Sequence, residues 1–450
     1  MRTAHDRSAP VLILKTGSYA IHHGQLGIIR SLGRLGIPVY TVADDHLTPA
    51  GTSRYLAGNF VWRAGDLPRP QLLEALAKIG KNLDRPTILI PTDDLGAILV
   101  AEEFATLRQW FVFPDISPGL PRKLANKQML YEFCRQIGVS CPNTRCPTSI
   151  LDVHEFAASA GFPIVVKPAA GWLHPKLKVS IVHSEQELVD AWQGAGGSQN
   201  PNLLLQEYIH PGTDWFFHGY CNGASDCLAG FTGMKLRSYP PHAGVTTLGR
   251  SINNDVLFHH AQTLLKAISY AGIMDLDFRF DERDRQYKLL DFNPRIGAQF
   301  RVFVDDNGLD VARALYCDLT GQIVRRSKQV DGRVLVVEPD DLRASVNYFR
   351  RGELSAYDWL RSFKGQKEFA WLNWDDPLPF LMVWTRFAIR AVRKILRFGL
   401  FKSHATWQST GMDQERRPDH VIPVSRYGLW SGLISVVGSL RHYLAWPWWN

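Results

Sequence analysis

Two strands joined by a charged turn are predicted between Gly272 and Gln299, and this hairpin constrains the fold more than any other stretch. Charged and apolar side chains alternate along the first strand, so Asp277 faces away from the apolar residues. If the two strands pair, Asp277 and Asp291 lie nearly opposite each other. Neighbouring carboxylates repel each other unless a cation lies between them. The hairpin therefore predicts a cation site or, as the alternative, a solvated acidic face.

Asn293 and Arg295 add to the chemistry of this hairpin. Asn293 shares the face of Asp291, and an amide beside two carboxylates is a donor set that suits Mg²⁺. Arg295 directly follows Pro294 and offers a guanidinium that can bind phosphate oxygens. The pattern outlines a nucleotide–metal site, although Asp-rich hairpins are also ordinary turn structures.

The composition is that of a folded globular protein. The chain has 450 residues, 45% of them hydrophobic and 21% charged, which is enough for two or three domains. The net charge of +8 is compatible with binding to nucleic acid, anionic lipid or phosphorylated ligands, and it does not distinguish among these partners. The six cysteines form no CxxC pair, so reduced thiols are expected. With no signal peptide and no membrane-spanning stretch apparent, we expect a cytoplasmic protein, either free or peripheral on the inner face of the plasma membrane.

Strands and helices alternate in the first part of the chain, which predicts an α/β domain with a parallel, doubly wound sheet. The predicted strands cover 11–14, 37–42, 87–91 and 111–113, with helices at 25–35, 71–83 and up to 107. Asp93 and Asp94 follow the third of these strands, where such sheets bind ligands, and helix capping is the alternative role. The GxGxxG fingerprint is absent, so no NAD site is predicted.

An α+β region follows, and its polar residues suggest a nucleotide site. Lys167 ends a predicted strand at 162–168 beside a small-residue loop, where an anion can bind, although a surface lysine is the alternative. The segment Gln206, Glu207, Tyr208 and Ile209 ends another strand and suits an adenine edge in an apolar slot. Further predicted elements are a helix at 120–137, strands at 203–209, 214–220 and 228–234, and a helix at 254–271. Lys235 and Arg237 are predicted just after a strand, where they can meet phosphates.

The order of these residues resembles the ATP-grasp superfamily from about Lys123 to Leu319, and the preceding domain resembles its pre-ATP-grasp domain. The matching segments are NKQMLYEFCRQIGVSCPNT, FPIVVKP, LLLQEYIHPGTDW, GIMDLDF and LLDFNPR. The segments SRYLAGNF, ILIPTDDL, LDFNPRIGAQF and WDDPLPF resemble bacterial carboxylate–amine ligases related to D-aspartate ligase. The resemblance extends to about Pro379.

The resemblance implies a role for each matching position. ATP phosphates would be bound by Lys127 and Lys167, and the nucleoside by Gln206, Glu207, Tyr208, Ile209 and Asp214. Mg²⁺, with Mn²⁺ as a substitute, would be bound by Asp277, Asp291 and Asn293. Arg295 would contact the transferred phosphoryl group. From their position after a strand, and not from the resemblance, Arg237 and Lys235 are further candidates for contacts with phosphate. Two departures are the aspartates at 277 and 291, where the family favours glutamate, and the loop 171–175, which lacks a glycine- and serine-rich phosphate lid.

The expected architecture is a Rossmann-like pre-ATP-grasp domain at 1–120, a two-lobed ATP-grasp domain at 121–325 and a helical extension at 326–450. The resemblance implies an ADP-forming ligase that joins a small-molecule carboxylate and an amine through an acyl phosphate. An ATP-grasp kinase without ligation is the enzymatic alternative, and a non-catalytic nucleotide-binding protein at a membrane is the other. No motif names the substrates.

The extension contains a predicted basic amphipathic helix at 379–402. No acidic residue occurs from Pro377 to Gly411, and five basic residues recur at helical spacing. Such a helix suits an anionic membrane surface, and a helix packed on the protein is the alternative. The tail from Ala445 to Trp449 is rich in tryptophan, which favours membrane interfaces. We expect no nucleic-acid partner, and a homodimer is compatible with the sequence.

Overall fold

The computed structural model describes residues 7–17, 22–45, 47–62, 67–171, 173, 179–199, 202–210, 213–242 and 244–390. The chain divides into two compact units, Met1–Val383 and Trp384–Asn450. All the sheets described below belong to the first unit. The division into domains at 120 and 325 stays a prediction.

The first sheet is parallel and doubly wound, as predicted. Its strands are β1 (Val11–Leu14), β2 (Val39–Ala43), β3 (Gly58–Val61), β4 (Thr87–Pro91) and β5 (Phe111–Val112), in the order β3-β2-β1-β4-β5. The helices of this region are α1 (His23–Gly33), α2 (Arg69–Leu83), α3 (Asp94–Glu102) and α4 (Phe104–Leu107). Strand β3 was not predicted from the sequence. Because the strand order reverses between β1 and β4, the carboxyl ends of these two strands border the crevice of the sheet.

A small antiparallel sheet forms the second layer. Its strands are β6 (Thr144–Arg145), β7 (Ile164–Pro168), β8 (Ser180–Val182) and β9 (Leu203–Glu207), in the order β6-β9-β7-β8. Helices α7 (Ile150–Ala160) and α8 (Glu185–Gly194) pack on it around a core that includes Phe156, Leu188 and Trp192.

The predicted helix at 120–137 is wrong as a single element. It is two helices, α5 (Leu120–Ala125) and α6 (Lys127–Ile137), separated by Asn126. Asn126 has an extended backbone and caps α6, because its side chain accepts a hydrogen bond from the Met129 amide. Lys127 is therefore the first residue of a helix and not an interior one.

The third sheet has seven strands and carries the hairpin with which the sequence analysis began. They are β10 (Asp214–Cys221), β11 (Cys227–Tyr239), β12 (Val245–Ser251), β13 (Gly272–Asp281), β14 (Gln286–Asn293), β15 (Val334–Val336) and β16 (Lys367–Phe369), in the order β14-β13-β10-β11-β12-β15-β16. The remaining helices are α9 (Asp255–Ala267), α10 (Val311–Leu319), α11 (Glu338–Arg350) and α12 (Ala356–Ser362).

The predicted register of the hairpin is confirmed. Asp277 on β13 pairs with Asp291 on β14, and Asp275 pairs with Asn293. Leu276 and the other apolar residues of β13 point into a core beneath the sheet, where Leu276 is fully buried. The acidic side chains therefore lie together on the other face of the sheet.

The basic helix is described only in its first part. Residues 378–390 are helical, and the predicted continuation to 402 and the aromatic tail lie outside the described residues. Within the ranges that the structure describes, no helix has both the length and the hydropathy to cross a bilayer.

Candidate active site

Two lysines neutralise the paired carboxylates of the hairpin. Lys127 Nζ lies 2.9 and 3.0 Å from the two carboxylate oxygens of Asp291. Lys235 Nζ lies 3.2 Å from Asp277 Oδ1. All four side chains keep between 15% and 27% of their exposure, so they line a cleft and are not sealed in the core. The Asp291 carboxyl has a lowered pKa: burial raises it, but this is outweighed by Lys127 and Lys167.

Arg295 lies beside these carboxylates and contacts residues of the third sheet as well as a residue of α3. Its Nη2 donates to Asn293 Oδ1 at 2.8 Å, and its Nη1 lies 3.4 Å from Asp275 Oδ2. Its Nε lies 3.3 Å from Asp94 Oδ1, which belongs to the first residue of α3. The arginine therefore connects the crevice of the first sheet with the hairpin of the third.

Asp275 and His218 form a buried pair beneath the cleft. Asp275 Oδ1 and His218 Nε2 lie 3.2 Å apart, and His218 is fully buried. Burial, and then the neighbouring Asp277, raise the pKa of Asp275 to about 8, whereas burial lowers the pKa of His218 to about 3. A side chain at Gly297 would collide with both residues, so only glycine fits there.

Lys167 lies deeper than Lys127, on the small antiparallel sheet. Its Nζ donates to the Tyr131 hydroxyl at 3.1 Å, and that hydroxyl donates to the Leu290 carbonyl at 2.6 Å. Burial, and then the charge of Lys127, lower the pKa of Lys167 to about 7. The Lys127 amide donates to the Ala169 carbonyl at 2.8 Å, which joins the start of α6 to the loop after β7. The two predicted phosphate-binding lysines thus lie on elements that are tied together.

The predicted adenine segment lies at the end of β9. Gln206 is buried, and its Oε1 lies 3.3 Å from the Tyr131 hydroxyl. The Glu207 carboxylate accepts hydrogen bonds from the Asn143 amide at 2.9 Å and from Arg283 at 2.8 Å, and Lys288 is 3.3 Å away. These cations and the amide lower the pKa of Glu207 against the effect of burial. The Glu207 carboxylate is therefore already engaged in contacts within the protein.

Tyr208, Ile209 and Asp214 complete the segment. The Tyr208 ring meets His210 edge-on, and Ile209 is buried. Asp214 binds Arg279 through two hydrogen bonds of 2.6 and 2.9 Å, and Arg279 also donates to the Ile209 carbonyl at 3.1 Å. Arg279 was not identified from the sequence, although its place on the same strand face as Asp277 was a usable signal.

Arg237 is not brought to the cleft, so its predicted place beside the phosphates is wrong. It is buried, and it binds Asp341 of α11 through hydrogen bonds of 2.9 and 2.7 Å. The strand β11 continues through Tyr239, and its register shifts between Lys235 and Arg237. Because an irregularity of this kind redirects side chains, Lys235 and Arg237 do not share a direction.

The two aspartates after β4 have different surroundings. Asp93 caps α3 through the Gly96 amide and also accepts hydrogen bonds from Thr16 and from the Gly17 amide. Asp94 faces Arg295, and burial raises the pKa of its carboxyl while Arg295 lowers it. The capping alternative is therefore correct for Asp93, and Asp94 lies at the cleft.

The oxygen atoms of the hairpin suit a hard divalent cation. Two carboxylates at Asp277 and Asp291 lie opposite each other, with the amide of Asn293 two strand positions further along. Asp275 Oδ1 is buried next to them and, although close to His218, makes no hydrogen bond with any residue that the structure describes. Among the described residues, no three acidic, histidine or cysteine side chains are already grouped around a cation position. The donor types fit Mg²⁺, and the lysines occupy the neighbourhood of the carboxylates in this arrangement.

Sequence and structure comparisons agree on one type of protein. No family profile matches the chain. A D-aspartate ligase of Enterococcus faecium is 24% identical over 292 residues, which cover 60% of this chain and 68% of that one. The N5-carboxyaminoimidazole ribonucleotide synthetase of Thermus thermophilus superposes with a TM-score of 0.54 at 15% identity, covering 71% of this chain and 80% of the other.

A biotin carboxylase domain gives a similar result. The domain from the 2-oxoglutarate carboxylase of Hydrogenobacter thermophilus, solved as a dimer with MgADP, ADP and bicarbonate, has a TM-score of 0.53 at 16% identity. The superposition covers 72% of each chain. At these identities the superpositions show a shared fold, so the chain has the fold of ATP-grasp enzymes.

Proposed function

We propose that the chain is an ADP-forming carboxylate–amine ligase that works through an acyl phosphate and uses Mg²⁺. The observation that carries the proposal is the meeting of Lys127, Lys235 and Arg295 with the paired carboxylates of one hairpin. Phosphoryl transfer requires cations placed around the phosphates and little covalent chemistry from the protein. The similarity to a D-aspartate ligase supports ligation as the outcome.

The nucleotide would lie between the two antiparallel sheets. Lys127 and Lys167, joined through the Ala169 contact and Tyr131, would bind the phosphates. The main chain from Gln206 to Ile209 would hold adenine, and Asp214 would lie near the ribose. Because the Glu207 carboxylate already binds Arg283 and Lys288, its backbone is the better group for contacts with the base.

Asp277, Asp291 and Asn293 would hold Mg²⁺, or Mn²⁺ in its place. When bound, the metal ion would supply positive charge that screens the phosphate oxygens during transfer. Lys127 and Lys235 keep the carboxylates neutralised without it, which lowers the repulsion between them. On nucleotide binding, the same amines can turn to phosphate oxygens.

In the first half-reaction, an oxygen of the substrate carboxylate forms a bond to the γ-phosphorus, and the bond from phosphorus to the ADP oxygen breaks. Arg295 and Lys235 would hold the transferred phosphoryl group. In the second half-reaction, the amine nitrogen bonds to the acyl carbon, the bond to phosphate breaks, and the nitrogen loses a proton. No side-chain nucleophile is required, since positioning and electrostatics lower the barrier.

An ADP-release assay with pairs of carboxylates and amines, beginning with amino acids, tests this proposal. We expect release only when both substrates are present, and a loss of at least a hundredfold in Asp291→Ala, which removes a carboxylate from the charge-bearing site. Asp226→Ala, in the exposed turn after β10, is the matched control and should keep full activity. Phosphorylation of a hydroxyl without an amine would favour the kinase alternative, and undiminished turnover in Asp291→Ala would exclude the metal assignment.

We further propose that the enzyme acts in the cytoplasm at the anionic surface of a membrane. Apolar side chains that a protein usually buries are exposed at the start of the basic helix and just before it: Trp374, in the preceding turn, is 89% exposed, and Leu378 and Leu381 are exposed as well. They are followed by the acid-free basic segment. Exposed tryptophan and leucine beside arginines match the polar interface of a membrane with anionic lipids.

Flotation with lipid vesicles tests the membrane proposal. The full chain should float with phosphatidylserine-containing vesicles, less with pure phosphatidylcholine, and less as salt is added, because screening weakens charge attraction. A chain ending at Leu378 should stay at the bottom of the gradient. Equal flotation of both chains would contradict the proposal.

A further inference from the structure

We propose that Asp94, the first residue of α3, is a positioning residue for the phosphoryl-binding Arg295, which follows β14. The proposal rests on the proposed function of Arg295 and adds a residue from outside the ATP-grasp lobes to the transfer step.

The backbone that carries Asp94 is fixed by its neighbour. Asp93 accepts hydrogen bonds from the Thr16 amide at 2.6 Å, from the Gly17 amide at 3.0 Å and from the Gly96 amide at 2.8 Å. These donors come from the end of β1 and from the first turn of α3. One carboxylate thus locks the carboxyl ends of β1 and β4 together, and the following residue has little freedom to turn away from the cleft.

Asp94 contacts the Nε side of the Arg295 guanidinium, whereas the hairpin residues contact its terminal nitrogens. Asp94 Oδ1 is buried and forms an ion pair with Arg295, 3.3 Å from its Nε, without the geometry of a hydrogen bond. Asn293 and Asp275 accept hydrogen bonds from the two terminal nitrogens of the same guanidinium. Two hydrogen bonds and one ion pair therefore constrain the position and tilt of this planar group from three directions.

A fixed guanidinium matters most for the transferred phosphoryl group. Contacts that are preorganised before reaction stabilise the transition state without a further cost of ordering. Without the charge of Asp94, Arg295 would keep its hydrogen bond to Asn293, but its guanidinium plane could rotate about that bond. The expected defect is therefore in transfer and in γ-phosphate binding, and not in the binding of ADP.

Calorimetry of MgADP, alone and with orthovanadate as a γ-phosphate mimic, separates these effects. In Asp94→Asn we expect MgADP affinity within about twofold of wild type, and vanadate-dependent affinity and kcat both reduced about tenfold. The unfolding temperature should stay close to that of wild type, since asparagine keeps the shape of the side chain. Asp375→Asn, which also faces an arginine but lies on the surface away from the cleft, is the matched control with no effect.

The double variant with Arg295→Lys tests whether Asp94 acts through the arginine. If it does, Asp94→Asn adds less than about twofold to the defect of Arg295→Lys alone. Additive defects, or a lower unfolding temperature with normal vanadate binding, would overturn the proposal. If the wild-type chain releases no ADP with any substrate pair, the proposed ligase function fails, while vanadate binding still tests Asp94.

Discussion

The charged residues of the cleft neutralise one another in pairs. Lys127 forms an ion pair with Asp291, and Lys235 forms one with Asp277. An isolated charge in a partly buried cleft is costly, and such pairs lower that cost. The two lysines therefore reduce the repulsion between the paired carboxylates of the hairpin.

Lys167 differs from these lysines because, among the described residues, no carboxylate forms an ion pair with it, and its protonation therefore gives a testable pH dependence. Burial and Lys127 lower its pKa to about 7. A bound phosphate adds negative charge and raises that pKa. At pH 8 the Lys167 amine of the free enzyme is mostly neutral, so ADP binding should be accompanied by uptake of a proton. At pH 6 the amine is already protonated, and no such uptake is expected. The affinity for ADP should fall up to about tenfold for each pH unit above 7.

Calorimetry in two buffers with different ionisation enthalpies measures this uptake. Because ADP itself titrates near pH 6 to 7, the relevant quantity is the difference between wild type and Lys167→Arg, which stays charged at every pH used. We expect the extra uptake at pH 8 to vanish in this variant. Identical proton uptake in the two proteins would show that Lys167 does not titrate on binding.

At the scale of single elements, the patterns that depend on neighbours in sequence were predictable. Alternation of apolar and charged residues gave both strands of the hairpin, and the same alternation placed Asp277 opposite Asp291. The strand–helix alternation predicted that the first sheet is parallel and doubly wound, but it gave no strand order and missed β3. These features follow from local periodicity, and distant contacts only reinforce them.

Elements shaped by distant contacts could not be predicted in the same way. The break at Asn126 depends on the Lys127 amide reaching Ala169, which is far along the chain. Arg237 leaves the cleft because β11 is irregular and because Asp341 of α11 lies on the other side. Nor could the sequence assign the different roles of Asp93 and Asp94, since both fit an N-cap. An aspartate that caps a helix and an aspartate that contacts a neighbouring arginine cannot be distinguished from the local sequence alone.

At the scale of the whole molecule, the segments SRYLAGNF and WDDPLPF, both noted in the sequence, contact each other within the first unit. Asp376, from the segment WDDPLPF, binds Arg30 Nε at 3.0 Å, Ser53 Oγ at 2.7 Å and the Arg54 amide at 3.0 Å. Arg30 also donates to the carbonyls of Trp371 and Asp376 at 2.8 and 2.9 Å. The segment after β16 is thereby fastened to α1, whose first residues pack against the loop after Arg295.

This fastening predicts that two adjacent aspartates contribute unequally to stability. The Arg30–Asp376 pair is almost completely buried, with 3% and 1% of the side chains exposed, whereas Asp375 keeps 45% exposure opposite Arg34. Removing one partner of a buried pair leaves an unpaired charge and costs about 3–5 kcal/mol, while an exposed pair contributes about 1 kcal/mol or less. For a unit of this size, Asp376→Ala should therefore lower the unfolding temperature by about 5 °C, and Asp375→Ala by about 1 °C. Thermal unfolding followed by circular dichroism compares the two, and equal shifts would mean that the buried pair does not hold the segment to α1.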